Sequence, residues 1–384
     1  MTSTTVIRGA RIFDGAQWHE DASLLIEGSS VQAIVAAAEI PSGAAIVDYG
    51  GQIIAPGFID LQVNGGGGVQ FGHETSAEAI RAITAAHAKF GTTKLLPTLI
   101  TDTPEVTEAA LEGGRKATAE KVPGYLGIHL EGPHLSLARK GAHDPSLIRP
   151  MEQQDLDRIL SYRSSAGVLM TTLAPENVSP DQVKTLADAG VLISIGHTDT
   201  TAANAFTYFE AGASMVTHLF NAMSPLSHRE PGLVGAALHE GRVFAGLIAD
   251  GFHVDPVAIE IALKAKQGPG KVFLVTDAMS PIGTDMTGLE LNGRQIFRRD
   301  GRLTLADGTL AGADIDMLSC VRFVIERLNL PLEEALRMAS LYPAQAARVE
   351  RSNGRLATGY VADFVVLSSE LEHVATWIDG NLAA

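Results

Sequence analysis

Four residues suited to metal and proton chemistry each close an apolar run. Tyr125 to Leu130 leads into Glu131 and stops at Gly132-Pro133. Leu192-Ile193-Ser194-Ile195-Gly196 leads into His197, and Ser214-Met215-Val216-Thr217 into His218. Val272-Phe273-Leu274-Val275-Thr276 leads into Asp277. Short apolar runs bounded by turn signals read as buried strands, so each residue stands at a strand's C-terminal end. Two imidazoles and a carboxylate, with water in a fourth position, make an open tetrahedral site suited to Zn2+. The same ligand types accept Fe2+ or Mn2+. Asp277 is then a spare carboxylate, able to take a proton from water and pass it to a leaving group. The set suits metal-assisted hydrolysis with one divalent ion per subunit. Taken singly, Glu131 and Asp277 could be caps and His197 and His218 ordinary core histidines. Their shared placement at strand ends favours the functional reading.

The elements that must position them alternate in type. Strand candidates lie at 57–63, 93–99, 125–131, 168–173, 191–196, 214–218, 243–249 and 272–277. Helical patterns fall between most of them, with 76–90 and 104–119 as examples. Eight buried strands with intervening helices predict a (β/α)8 TIM-like barrel over 57–353, a fold that carries its chemistry at the C-terminal strand ends. The turns Arg299-Asp300-Gly301 and Ala306-Asp307-Gly308 predict an inserted β-hairpin near 285–312. Short β segments at both ends, among them Val6 to Phe13 and Ala362 to Leu367, predict a small β-sandwich domain from 1–56 and 354–384.

Bulk properties exclude several classes. The 384 residues are 46% hydrophobic and suit one large barrel plus an appendage. A net charge of −15 argues against nucleic-acid and anionic-membrane binding. The single cysteine, Cys320, rules out an internal disulfide and reads as a small buried helix residue. The start of the chain lacks a basic stretch followed by an apolar segment, which predicts no signal peptide. No apolar run approaches the roughly 20 residues that span a bilayer. The expected location is the cytoplasm.

The opening strand adds a qualification. Pro56-Gly57-Phe58-Ile59-Asp60-Leu61-Gln62-Val63-Asn64 resembles the Pro-Gly-hydrophobic-Ile-Asp-x-His-x-His opening of the amidohydrolase superfamily, with Gln62 and Asn64 in the histidine positions. Amides bind zinc poorly beside imidazole, so one metal is expected rather than two. Further segments are His129-Leu130-Glu131-Gly132-Pro133, Gly141-Ala142-His143, Gly196-His197-Thr198, Thr217-His218-Leu219-Phe220-Asn221-Ala222-Met223, Arg229-Glu230-Pro231-Gly232, Ile248-Ala249-Asp250-Gly251-Phe252-His253 and Gly308-Thr309-Leu310-Ala311-Gly312. In order and number they resemble the N-acetylglucosamine-6-phosphate deacetylase family, over most of the chain.

The resemblance implies a metal-dependent barrel, a homodimer, and hydrolysis of a phosphorylated N-acetyl amino sugar to the amine and acetate. It implies that Glu131, His197 and His218 hold the metal, that Asp277 is the acid and base, and that His143 stabilises the oxyanion. Ala142, Asn221 and Ala222 would contact substrate, His253 and Arg229 its phosphate, with Arg229 reaching across a dimer interface. Leu310, Ala311 and Gly312 would close over the sugar. One departure is His134, where the family often carries a large aromatic. Nothing in the sequence separates the gluco from the galacto substrate. Other amidohydrolases, such as dihydroorotases, generally keep the His-x-His replaced here. A scaffold without activity would be expected to lose ligands that this chain retains.

Overall fold

A computed structural model of the chain describes residues 4–36, 39–291, 293–308 and 310–384. Thr309 of the Gly308 to Gly312 segment therefore lies outside the described residues. Eight parallel strands follow one another in chain order around a single sheet: Phe58–Val63, Thr92–Ile100, Gly127–Glu131, Val168–Leu173, Leu192–Ile195, Met215–Val216, Phe244–Leu247 and Val272–Leu274. The predicted barrel is present. The ring closes beyond the last strand, where Asp277 N–H donates to Gln62 O at 2.9 Å and Val63 bridges to Ala278. Asp60 reinforces the seam from inside. Its carboxylate accepts from Thr276 Oγ1 at 2.5 Å and from the Thr276 and Gln62 amides at 3.2 Å each.

Helices cover the outside, and several of them start on a capping side chain. Ser76 Oγ accepts from Ala79 N–H to open Ala77–Ala88. Thr103 does the same for Pro104–Ala119, where Pro104 needs no amide partner at the first position. Among the described residues no helix is long and apolar enough to cross a membrane.

Beneath the site, the barrel interior carries a polar layer. Thr98 Oγ1 lies 3.1 Å from His129 Nδ1, and His129 Nε2 lies 2.8 Å from Thr172 Oγ1. Thr217 Oγ1 is 2.6 Å from both Thr172 Oγ1 and Ser194 Oγ. These side chains come from five consecutive strands or their ends and are fully or almost fully buried. Burial pushes the His129 imidazole down to about 4, so it is neutral in this layer.

The terminal segments build two packed sheets. One has four strands, Ser30–Ala36, Ala22–Glu27, Thr4–Arg8 and Ala45–Asp48. The other has six and joins Trp18–His19, Arg11–Phe13 and Ile53–Pro56 to Phe364–Leu367, His373–Ile378 and Asn381–Leu382. Ile7, Leu24, Ile54, Phe364 and Trp377 meet in one apolar cluster between them. The run Val6 to Phe13, expected to be one segment, divides between the two sheets. The break is at Gly9, where φ is 84° and an added Cβ would lie 2.5 Å from Asp48 Oδ1. At Gly57 the chain passes into the barrel so close to Thr93 that a Cβ would meet its Cγ2 at 2.2 Å.

The insertion is larger than the single hairpin expected. Gly288–Leu291, Arg294–Arg299, Arg302–Thr304 and Leu310–Ala313 form a four-stranded antiparallel sheet with its own core of Leu289, Leu291, Ile296, Leu303 and Ala311. The alternation Leu289-Glu290-Leu291, with Gly293 after it, marks the strand that extends it.

Candidate metal centre and substrate cavity

Glu131 ends the third barrel strand, while His197, His218 and Asp277 follow the fifth, sixth and eighth by two or three residues. These three residues have left-handed backbones, with φ of 48°, 28° and 53°. Such conformations are uncommon for residues with a Cβ and gather at functional sites. Glu131 Oε1 lies 3.2 Å from His197 Nε2 and 3.2 Å from His218 Nε2, and the two nitrogens are 3.0 Å apart. All three side chains are buried.

Hydrogen bonds decide the tautomers. His197 Nδ1 lies 2.8 Å from Arg139 O. A carbonyl only accepts, so Nδ1 carries the proton and Nε2 turns its lone pair toward Glu131. An imidazole lone pair and a carboxylate oxygen at this separation repel unless a cation lies between them. The donor set fits a divalent ion, with His218 supplying the third atom.

His143 is close enough to form an alternative cluster with Glu131 and His197. Its tautomer argues otherwise. His143 Nδ1 accepts from Thr101 N–H at 3.2 Å, and Thr101 Oγ1 lies 2.8 Å away. A backbone amide only donates, so the His143 proton is on Nε2, which lies 3.9 Å from Glu131 Oε2. His143 therefore offers the cavity an N–H, not a lone pair. Burial, helped by the facing His197, pushes this imidazole down to about 3.

Asp277 receives two side-chain donors on one oxygen. Gln62 Nε2 reaches Oδ1 at 3.1 Å and Asn64 Nδ2 reaches it at 2.6 Å. Burial, then the Glu131 charge, raises this carboxyl to about 6. The first-strand amides, read in the sequence as empty ligand positions, are thus donors to the site's carboxylates. Nothing in the sequence signalled that role.

A cavity of about 250 Å3 opens above these groups. Glu131, His197, His218 and Asp277 share its wall with Ala142, His143, Asn221, Ala222, His253, Leu310, Ala311 and Gly312. His253 Nδ1 lies 2.6 Å from Asp250 Oδ2, which orients the ring and leaves Nε2 as its other polar atom. Arg229 is different. It is exposed and does not line the cavity within one chain. His134 engages other groups, with Nδ1 3.0 Å from Arg149 O and Nε2 3.9 Å from Asp155 Oδ2. Sequence reasoning missed Thr101 and also Arg294. The latter reaches from the inserted sheet to donate to Ala142 O at 2.6 Å.

Comparison with known proteins agrees with this architecture. Residues 53–383 match the model of the amidohydrolase family. The chain belongs to the amidohydrolase family. Within that family it is 44% identical over 333 residues to an N-acetylgalactosamine-6-phosphate deacetylase of Shewanella sp. (strain ANA-3), covering 86% of this chain and 83% of the relative. It is 34% identical over 366 residues to an N-acetylglucosamine-6-phosphate deacetylase of Haemophilus influenzae, covering 94% of each. The crystal structure of the N-acetylglucosamine-6-phosphate deacetylase from Pasteurella multocida superimposes with a TM-score of 0.95 at 32% identity, covering 99% of both chains. This amidohydrolase is therefore similar along nearly its whole length to sugar-phosphate deacetylases.

Proposed function

We propose that this amidohydrolase hydrolyses N-acetyl-D-glucosamine 6-phosphate to D-glucosamine 6-phosphate and acetate. The observation that carries the reading is the convergence of Glu131, His197 and His218 beside Asp277 on one cavity, in a chain similar end to end to enzymes of that name. One Zn2+ per subunit suits two imidazoles and a carboxylate, and when bound it supplies Lewis-acid activation of water and of the amide carbonyl.

The chain's own residues do the rest. Asp277 accepts the proton of the attacking water and delivers it to the departing nitrogen, which leaves poorly as an anion. A carboxyl raised to about 6 suits both directions of that transfer near neutral pH. The His143 Nε2–H donates to the oxygen on which charge develops. His253 faces the phosphate end, while Asn221, the Ala222 backbone and the 310–312 segment enclose the sugar. Arg229 adds a second phosphate contact from the partner subunit of a homodimer, since its own chain leaves it exposed. The working compartment is the cytoplasm.

The galacto epimer is a second reading, supported by the 44% identity to the Shewanella enzyme. Acetate release from both sugar phosphates, before and after chelation and Zn2+ restoration, tests the assignment. Chelator-sensitive release favouring the gluco substrate supports it. Preference for the galacto substrate transfers the assignment to that epimer, and release from neither refutes the substrate class.

A further inference from the structure

We propose that Gln62 and Asn64 are positioning residues that present Asp277 for proton transfer through a single oxygen, Oδ2. The proposal rests on the hydrolytic reading above and assigns the first-strand amides a task within it. Gln62 Nε2 donates to Glu131 Oε1 at 3.0 Å and to Asp277 Oδ1 at 3.1 Å. Asn64 Nδ2 donates to Asp277 Oδ1 at 2.6 Å and to the Asp277 backbone oxygen at 3.2 Å. The orientation of both amides is forced. Every oxygen facing these nitrogens belongs to a carboxylate or a carbonyl, and ionised carboxylates and carbonyls only accept.

The two residues lie two apart where the first strand ends, so their side chains share one face. Both are buried. The torsion that spins a carboxylate is soft and nearly two-fold, so an unrestrained Asp277 would exchange its oxygens freely. Two donors on Oδ1 stop that rotation and occupy its lone pairs. Neither amide bonds to Oδ2, which is left to exchange the proton. Gln62 also sets a neutral donor between two acidic groups, so Glu131 and Asp277 can stand on one cavity wall without direct contact. Imidazoles at these positions would offer lone pairs to a cation. Amide nitrogens offer hydrogens to carboxylates, and that difference converts a ligand position into an orienting one.

The test compares Asn64→Ala, Asn64→Asp and Gln62→Leu in the metal-loaded enzyme. If the amides position Asp277, kcat falls on the order of 10–100-fold, as for other orienting partners of site residues, while KM stays within about twofold. Elemental analysis of Asn64→Ala still finds one metal per subunit. Asn64→Asp keeps the shape but removes the donor, so it is at least as slow as Asn64→Ala. A residue that merely fills space would give the reverse order. Crystal structures of Asn64→Ala and Gln62→Leu supply a readout independent of turnover, in which the Asp277 carboxylate is turned from its present place and the barrel is unchanged. Undiminished kcat in Asn64→Ala, an Asn64→Asp enzyme faster than Asn64→Ala, or an unmoved Asp277 overturns the proposal. If the unmutated enzyme releases no acetate from either sugar phosphate, the substrate reading fails alone. The Asp277 orientation in the variant crystals then still decides the positioning role.

Discussion

Removing the His143 ring tests whether this histidine is a donor or a ligand. It stands within reach of Glu131 and His197, so proximity alone allows either role. The Thr101 amide at Nδ1 selects the tautomer with the proton on Nε2 and so assigns a donor. Loss of one preorganised oxyanion donor costs on the order of 10²–10³ in kcat, or about 2.7–4 kcal/mol. His143→Ala should lose that much and keep its full metal content. His143→Gln, whose side-chain amide can place an N–H near the same point, should recover part of the loss. Because burial holds the imidazole near 3, the donor is neutral from mildly acidic pH upward. The ratio of His143→Ala to unmutated kcat should therefore not change between pH 6 and pH 8. The assay is acetate release at saturating substrate with elemental analysis of the same samples. Metal depletion in His143→Ala as deep as in a His197→Ala control would refute the tautomer argument and make His143 a ligand.

Four further outcomes follow from the same geometry. His218→Ala should purify with little metal, and full occupancy on elemental analysis would remove it from the ligand set. Asp277→Asn should retain metal and fold but lose roughly 10²–10⁴-fold in turnover, measured as acetate release, with near-normal rates excluding it as the proton carrier. Arg294→Ala unties the inserted sheet from the His143 loop and should raise KM by about tenfold, matching one charge-assisted bond of about 1.5 kcal/mol; an unchanged KM would show that the strap plays no part in binding. The Asp363 carboxyl, 3.1 Å from Lys94 Nζ, is raised to about 6, with burial outweighing the Lys94 attraction. The folded state thus binds this proton more tightly than the unfolded chain. Its contribution favours folding below pH 4 and is lost as pH rises to about 6. The melting temperatures of Asp363→Asn and unmutated protein should diverge across that window, and parallel curves would contradict the burial argument.

Much of the architecture is legible because burial leaves a periodic mark. Apolar runs of four to six residues ending in Glu131, His197, His218 and Asp277 declare buried strands with polar ends, and Ser76 announces a helix start through cap chemistry. Gly9 and the extent of the insertion were less legible. A strand that changes sheets has the same local pattern as one that does not, and Leu289 to Leu291 is a short run whose partners come later in the chain.

The amino-acid sequence by itself determined the barrel, the polar residues that close its strands, and the acidic, aliphatic character of the chain. These depend on neighbours along the chain and on the period of burial. The tertiary structure alone decided what each polar atom does. Thr101 sets the His143 tautomer from 42 positions away, Arg139 sets that of His197 from 58, and Asn64 grips Asp277 from 213. A hydrogen bond is made at about 3 Å between atoms whose meeting the fold arranges. No local pattern of residue types encodes which donor will face which oxygen.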